Sequence, residues 1–250
     1  MTQIPNTLTT TSYWESLARS ESGPVSIRFA RLFDKYLVKT SARNARIIEI
    51  GCVPGVYLGY LAKRFGYFPE GIDYVKDCKQ TVEKTLRNFN LTESIIYEED
   101  FLKWKPEKKY DLVCSFGFVE HFGDPDTIFA KHIDLLTNGG MLIIEYPNFN
   151  YGQKILHSFL DRENLSRHNM TIMNLDYLDK IKDKFNLDVM FAGYYGGLFD
   201  FWWENATPSI VQRLVRLCLR YIAAILNKIP FNNRYFSPYI VLIAKSKGAR

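Results

Sequence analysis

Arg46-Ile47-Ile48-Glu49-Ile50-Gly51-Cys52-Val53-Pro54-Gly55 is the stretch whose reading decides the fold. It opens as a short apolar run rich in β-branched residues and closes in a turn carrying Gly51, Pro54 and Gly55. A helical pattern follows, with Val56, Leu58, Leu61, Ala62 and Phe65 falling roughly on one face. Strand, glycine turn and helix in that order form the ligand-cradling unit of an open α/β sheet. Glycine lets the backbone bend at positive φ and lets a ligand approach the main chain. The first turn of the helix then presents unpaired N–H groups to a negative group. The plainer reading is an ordinary tight strand–helix turn.

Two classes of nucleoside cofactor use such a unit. A dinucleotide fingerprint, G-x-G-x-x-G counted from Gly51, sets its further glycines at Val53 and Val56. Both glycines are missing, which disfavours NAD. Glu49, on the strand just before the first glycine, is no part of that fingerprint.

The bounds are those of an ordinary globular chain. Its 250 residues suffice for one large domain with a substantial core. With 47% hydrophobic and 24% charged residues, disorder is excluded as the general state. A net charge of +5 is too mild to argue for nucleic acid. Cys52, Cys78, Cys114 and Cys218 are scattered, with no C-x-x-C pair or His/Cys cluster. No metal or disulfide framework is expected, and a reducing cytosol fits. Met1–Thr11 is polar, unlike a signal peptide, and no run of about 18 uncharged apolar residues predicts a spanning helix.

In chain order, a mobile lead of a dozen residues precedes a helical pattern from Ser12 to Lys39, broken near Gly23-Pro24. Tyr67–Asp73 reads as a second strand ending in an acid, and an acid there can accept hydrogen bonds from both hydroxyls of a ribose. Its alternative role is to charge the N-terminus of a helix over Lys76–Arg87. A third strand, Ser94–Tyr97, leads to Glu98-Glu99-Asp100-Phe101. The apolar run after Asp111 reads as a buried parallel strand whose carboxyl-end loop carries Gly117, Glu120 and His121. Asp124-Pro125 starts a helix running to Leu136, Asn138-Gly139-Gly140 ends it, and a strand follows over Met141–Tyr146. Tyr146 and Asn148 are expected to face an acceptor. Residues 152–173 lack clear regularity, and long irregular segments tend to be functional. Asn174–Phe185 is a further helix, and Leu187–Tyr195 and Tyr239–Ala244 are the last strands.

These residues, in this order, resemble the motifs of class I S-adenosylmethionine (SAM)-dependent methyltransferases of the small-molecule type 11/12 kind. The first motif of that family is an acid followed by G-x-G-x-G. Here it keeps Glu49, Gly51 and Gly55, with Val53 where the middle glycine is common. The resemblance implies that Glu49 organises contacts around the amino group and sulfonium end of SAM, and that Gly51 and Gly55 make room for its methionine portion. It further implies that Asp73 takes the ribose, that Asp100 lies near the exocyclic amine of adenine, and that Phe101 lies against the ring. Glu120-His121 matches the Glu-His that follows the fourth strand and puts His121 near the transferred methyl. An imidazole titrates near neutral pH, so His121 can take the proton of an attacking hydroxyl. The alternative is that Glu120 and His121 only shape the pocket wall. His168, beside Asn169, is the second candidate for acceptor binding or proton removal. Tyr13 and Trp14 either pack the first helix onto the domain or sit in a lid over the cofactor.

Between the last two strands lies a segment carrying Phe199, Phe201, Trp202 and Trp203, then a basic apolar helix over Ile210–Ile229. Its arginines, Arg213, Arg216 and Arg220, share one narrow stripe at 100° per residue. A helix this apolar is expected to bury most of its surface, on the domain or on a second subunit in a homodimer. The alternative is an interfacial helix on anionic lipid at the inner face of the membrane. The Trp pair suits stacking on a sugar ring.

The expected architecture is one Rossmann-like α/β domain with a seven-stranded, mostly parallel sheet, helices on both faces and the last strand antiparallel. A helical lid spans 1–40. The SAM-binding domain spans 41–250, with an insertion at 198–236. The resemblance implies methyl transfer from SAM to a hydroxyl, less readily a nitrogen, of a small molecule. The layout and the closing Ser237-Pro238-Tyr239-Ile240-Val241 resemble methyltransferases that decorate bacterial surface polysaccharides or their nucleotide-linked precursors. An NAD-dependent oxidoreductase and a non-catalytic SAM-fold scaffold are the competing readings.

Overall fold

The computed structural model describes residues 7–20, 27–204, 207–226, 229 and 231–247, with the side chains of 16–20 excepted. The Gly23-Pro24 break, most of the polar lead and Lys228 lie outside the described residues.

Seven strands form one sheet: β1 (Arg46–Ile50), β2 (Phe68–Asp73), β3 (Ile95–Glu98), β4 (Tyr110–Phe116), β5 (Leu136–Pro147), β6 (Leu187–Tyr195) and β7 (Tyr239–Ser246). Their spatial order is β3-β2-β1-β4-β5-β7-β6. The strands β1 to β5 pair in parallel, and β7 runs antiparallel to both of its neighbours, as expected. Alternation along these strands builds two cores. Ile48, Ile50, Val113, Leu142, Ile144 and Leu242 face one layer, and Ile47, Leu112, Cys114, Ile143, Val241 and Ile243 face the other. A strand buried on both faces reads as a continuous apolar run, which is why β1 and β4 were visible in the sequence.

Helices α1 (Thr11–Ser20) and α2 (Ala30–Tyr36) precede β1. The helices α3 (Val56–Phe65), α4 (Cys78–Asn88) and α5 (Pro125–Asp134) connect the parallel strands. Asp124 caps α5, its carboxylate accepting the Thr127 N–H at 3.3 Å. That helix ends at Asp134 rather than Leu136, and Gly139-Gly140 falls inside β5, where the pairing register with β4 shifts.

Residues 152–173 are not irregular as expected. They form α6 (Tyr151–Leu160), α7 (Arg162–Ser166) and a single 3-10 turn at Met170–Ile172. Buried polar residues, Gln153, His157, Asp161, Asn164 and His168, interrupt the apolar pattern that would have revealed these helices. Helix α8 (Leu175–Lys184) starts on the side chain of Asn174, and α9 (Ile210–Leu226) lies between β6 and β7. Within this chain Ala223 is the buried residue of α9, and most of the helix surface is not covered by the domain itself. Thr7 is part of no frayed lead: it bridges Phe122, and the Leu8 N–H donates to the His121 carbonyl at 2.8 Å. Among the described residues no helix is long and apolar enough to cross a membrane.

The register aligns the carboxyl ends of the strands. Ile50 pairs with Ile72 and Ser115, Asp73 with Glu98, and Phe116 with Glu145. The loops after β1, β2, β3, β4 and β5 therefore meet at one edge, around the point where strand order reverses between β1 and β4. Open α/β sheets bind ligands at such a switch point.

Candidate active site

A cavity of about 630 Å³ opens at this edge, within the size range of small-molecule sites. One end is built from the first three loops. Gly51 holds φ of +69°, and a Cβ there would meet the Phe118 ring at 2.8 Å, so the bend requires glycine. Val53, where the family commonly has its middle glycine, lines the cavity and donates its N–H to Asp73 Oδ2 at 3.1 Å. Asp73 Oδ1 accepts the Val75 N–H at 3.0 Å. The acid at the end of β2 thus clamps the glycine loop to the next loop, and each oxygen keeps a second lone pair for a ligand hydroxyl. Burial pushes the Asp73 carboxyl up, against these N–H groups. Asp100 Oδ1 accepts the Leu102 N–H at 2.9 Å. Phe101, also on the wall, stands edge-on to Phe118 and His132.

Glu49 and Gly55 are not on that wall. Glu49 is buried in β1 with Oε2 not hydrogen-bonded among the described residues, and burial holds its carboxyl well above the usual range. Gly55 begins α3 at φ of +89°, where a Cβ would lie 2.8 Å from Val82 Cγ1; its need for glycine is packing between α3 and α4. These residues support the loop from beneath. The residues fit a SAM-like nucleoside: a glycine-bent loop, an acid at the second strand end and an aromatic wall at the third line one continuous cavity.

The other end brings together two segments distant in the chain. The Val119–His121 turn follows β4, and the segment just after α7 supplies His168. The Asn169 N–H donates to the Glu120 carbonyl at 2.7 Å, and Asn169 Nδ2 to the Phe122 carbonyl at 3.0 Å, tying the two together. The His121 and His168 rings lie 4.4 Å apart. His121 Nδ1 bonds the Arg167 carbonyl at 2.9 Å and His168 Nδ1 the Asn164 carbonyl at 2.6 Å. A carbonyl only accepts, so each neutral ring carries its proton on Nδ1 and leaves Nε2 as an acceptor. Burial lowers the His121 pKa to about 4, with the nearby Arg167 charge adding to the effect. Burial likewise holds His168 well below the usual range. Glu120 is fully buried with neither oxygen hydrogen-bonded among the described residues, its Oε1 lying 3.6 Å from His121 Nε2, and burial keeps its carboxyl well above the usual range. One ligand-type atom from each of Glu120, His121 and His168 lies within 4.8 Å of the others. Such a set can hold a proton, a polar acceptor group or a divalent cation. No metal grouping was expected, because the pattern spans 48 residues and has no recognisable spacing.

Tyr13 and Trp14 of α1 close over this end. Trp14 stands edge-on to His121 at 4.7 Å. Tyr13 lines the cavity, but its hydroxyl donates to Glu204 at 2.5 Å and the Arg167 guanidinium lies 4.6 Å over its ring. Trp202 is on the wall, whereas Trp203 is buried beneath Arg216. Tyr146 and Asn148, expected to face the acceptor, do not line the cavity. The Tyr146 hydroxyl donates to the Ile172 carbonyl, and Asn148 Nδ2 to the carbonyls of Arg234 and Ser237.

Two carboxylates were missed. Glu145 lies at the carboxyl end of β5, on the cavity wall, and burial pushes its pKa up to about 8 against the pull of Arg28. The signal was a lone acid ending the apolar run Met141–Ile144. Glu204, held by Tyr13 and near Arg167, had no sequence signal, since its partners are far away in the chain.

A parallel sheet with a reversing strand order, a glycine-bent loop and an acid at the second strand end define a Rossmann-like nucleoside-binding domain. Residues 25–190 match the model of a methyltransferase domain family, and the chain belongs to that family. It is 28% identical over 112 residues to the ubiquinone biosynthesis O-methyltransferase of Neisseria meningitidis serogroup C, covering 43% of this chain and 46% of that one. It is 26% identical over 155 residues to malonyl-[acyl-carrier protein] O-methyltransferase 1 of Ilyobacter polytropus, covering 59% and 54%. The chain thus spans about half the length of the curated relatives it matches. The N-methyltransferase NodS of Bradyrhizobium japonicum, solved with S-adenosylhomocysteine, superposes with a TM-score of 0.56 at 12% identity, covering 94% of this chain and 98% of that one. That likeness shows the fold. SAM is the cofactor that family and fold imply, and the dinucleotide reading falls away.

Proposed function

We propose that this protein transfers the methyl group of SAM to a hydroxyl of a small acceptor, of the class of sugars or nucleotide-linked sugar precursors of surface polysaccharide. The observation that carries the reading is the pair of imidazoles whose Nδ1–H groups are committed to backbone carbonyls. Each keeps Nε2 as an acceptor beyond the loops that suit the nucleoside, that of His121 lying 3.6 Å from Glu120 Oε1. SAM, when bound, supplies an already activated sulfonium methyl, so positioning carries most of the rate. The Asp73-clamped loop orients the donor, while Trp202 offers the acceptor an aromatic face. His121 takes the hydroxyl proton on Nε2, and His168 stands second in line. Residues 7–20 act as a lid that excludes water, latched through Tyr13 and Glu204. A hydroxyl suits this end of the cavity because a neutral imidazole Nε2 accepts its hydrogen bond and then its proton.

The test is labelled SAM with a panel of nucleotide-linked sugars and oligosaccharides, the products read by mass and by the O-methyl resonance. His121→Ala should lower kcat by about 100-fold or more while S-adenosylhomocysteine binds as before. Full activity in both His121→Ala and His168→Ala would sink the assignment of the base.

A further inference from the structure

We infer that α9, with the adjoining face of α6, is an interfacial anchor that seats the protein on a bilayer of anionic lipid. One side of α9 belongs to the protein: Leu219, Ala223 and Leu226 pack with Leu160, Phe199, Phe201 and Trp203. The opposite side carries Ile210, Leu214, Leu217, Tyr221, Ile222 and Ile225, each between 44% and 77% exposed. At 100° per residue these six fall within one sector, opposite the packed stripe. On α6, Ile155 and Phe159 are also exposed, and Gln212 Nε2 donates to the Phe159 carbonyl, joining the two helices. Six large apolar side chains exposed on one face of a helix mark an interaction surface rather than scattered surface residues.

Charge decides what covers it. Arg213, Arg216 and Arg220 form one flank between the packed and the exposed stripes. Arg216 is held there by the Trp203 ring at 4.9 Å. The 46 residues after Glu204 contain eight lysines and arginines and no acid. Another copy of this face brings arginine to arginine with no acid between them. A bilayer supplies an apolar layer for the isoleucines and, at its rim, anionic headgroups for the arginines. Among the described residues α9 is too short and too charged to span, so it lies in the interface. The anchor abuts the cavity, since Trp202 on its wall precedes Trp203 in the anchor's packing.

Flotation of the full chain with phosphatidylcholine vesicles, with and without phosphatidylglycerol, tests this. The protein should float with the anionic vesicles only and be released by salt. R213S/R220S should weaken that partition roughly thirtyfold, and I210S/I225S should abolish it, both with S-adenosylhomocysteine binding unchanged. Absence of flotation on anionic vesicles would overturn the inference. So would flotation unaffected by either double variant, or a dimer by light scattering that I210S/I225S turns into monomer without any lipid binding.

Discussion

Asp73→Ala is the sharpest perturbation of the cofactor end, because one side chain there does two separable things. Its two oxygens accept the N–H groups of Val53 and Val75 at 3.1 and 3.0 Å, holding the loop after β1 against the loop after β2. A hydrogen bond to a charged acceptor contributes about 1.5–3 kcal/mol net, so truncation should remove roughly 3 kcal/mol or more of folding stability. A ribose held by the remaining lone pairs would lose two bonds of that kind, which adds about 3 kcal/mol to binding. That is roughly a 150-fold rise in Kd. Asp73→Asn keeps one acceptor oxygen and should show about half of each effect in energy. Calorimetric titration with S-adenosylhomocysteine reads the second quantity and thermal unfolding the first. If Asp73→Ala bound within about threefold of the parent and melted at the same temperature, both the clamp and the ribose contact would be wrong.

The pH behaviour follows from burial. His121 has its pKa lowered to about 4, so it is already neutral at pH 5 and available as a base. The kcat/KM profile should lack a limb near 6.5 and fall only toward pH 4; a limb near 6.5 that vanishes in His121→Gln would contradict the neutral assignment. His132, fully buried against Phe101, is likewise lowered to about 4. The unfolded chain protonates such a group near 6.5 and the folded one only near 4, so its stability contribution is intact above 6.5 and lost as pH falls toward 4. The full loss is about 3 kcal/mol. His132→Gln should therefore narrow the difference in melting temperature between pH 7 and pH 5, and an unchanged difference would refute the account.

What the sequence determined by itself was the part of the protein governed by local backbone chemistry and by periodicity. Gly51 was legible because the chain must turn at positive φ there, and β1 and β4 because strands buried on both faces are apolar throughout. Asp73 and His121 were legible because they follow strands whose carboxyl ends a parallel sheet brings to one edge. Only the tertiary structure decided what depends on partners distant in the chain. The imidazole of His168 reaches His121 because α7, a helix hidden by its buried polar residues, ends just before it. Tyr13 meets Glu204 across 191 positions, and no local pattern encodes that bond. The same limit applied to α9. Its apolar stripe and its arginines were plain in the sequence, but which side packs on the domain and which is left outward follows from the position of Trp203 and Phe201 beneath it. Hydrophobic periodicity reports that a face will be covered; the packing of the whole chain decides whether the protein itself covers it.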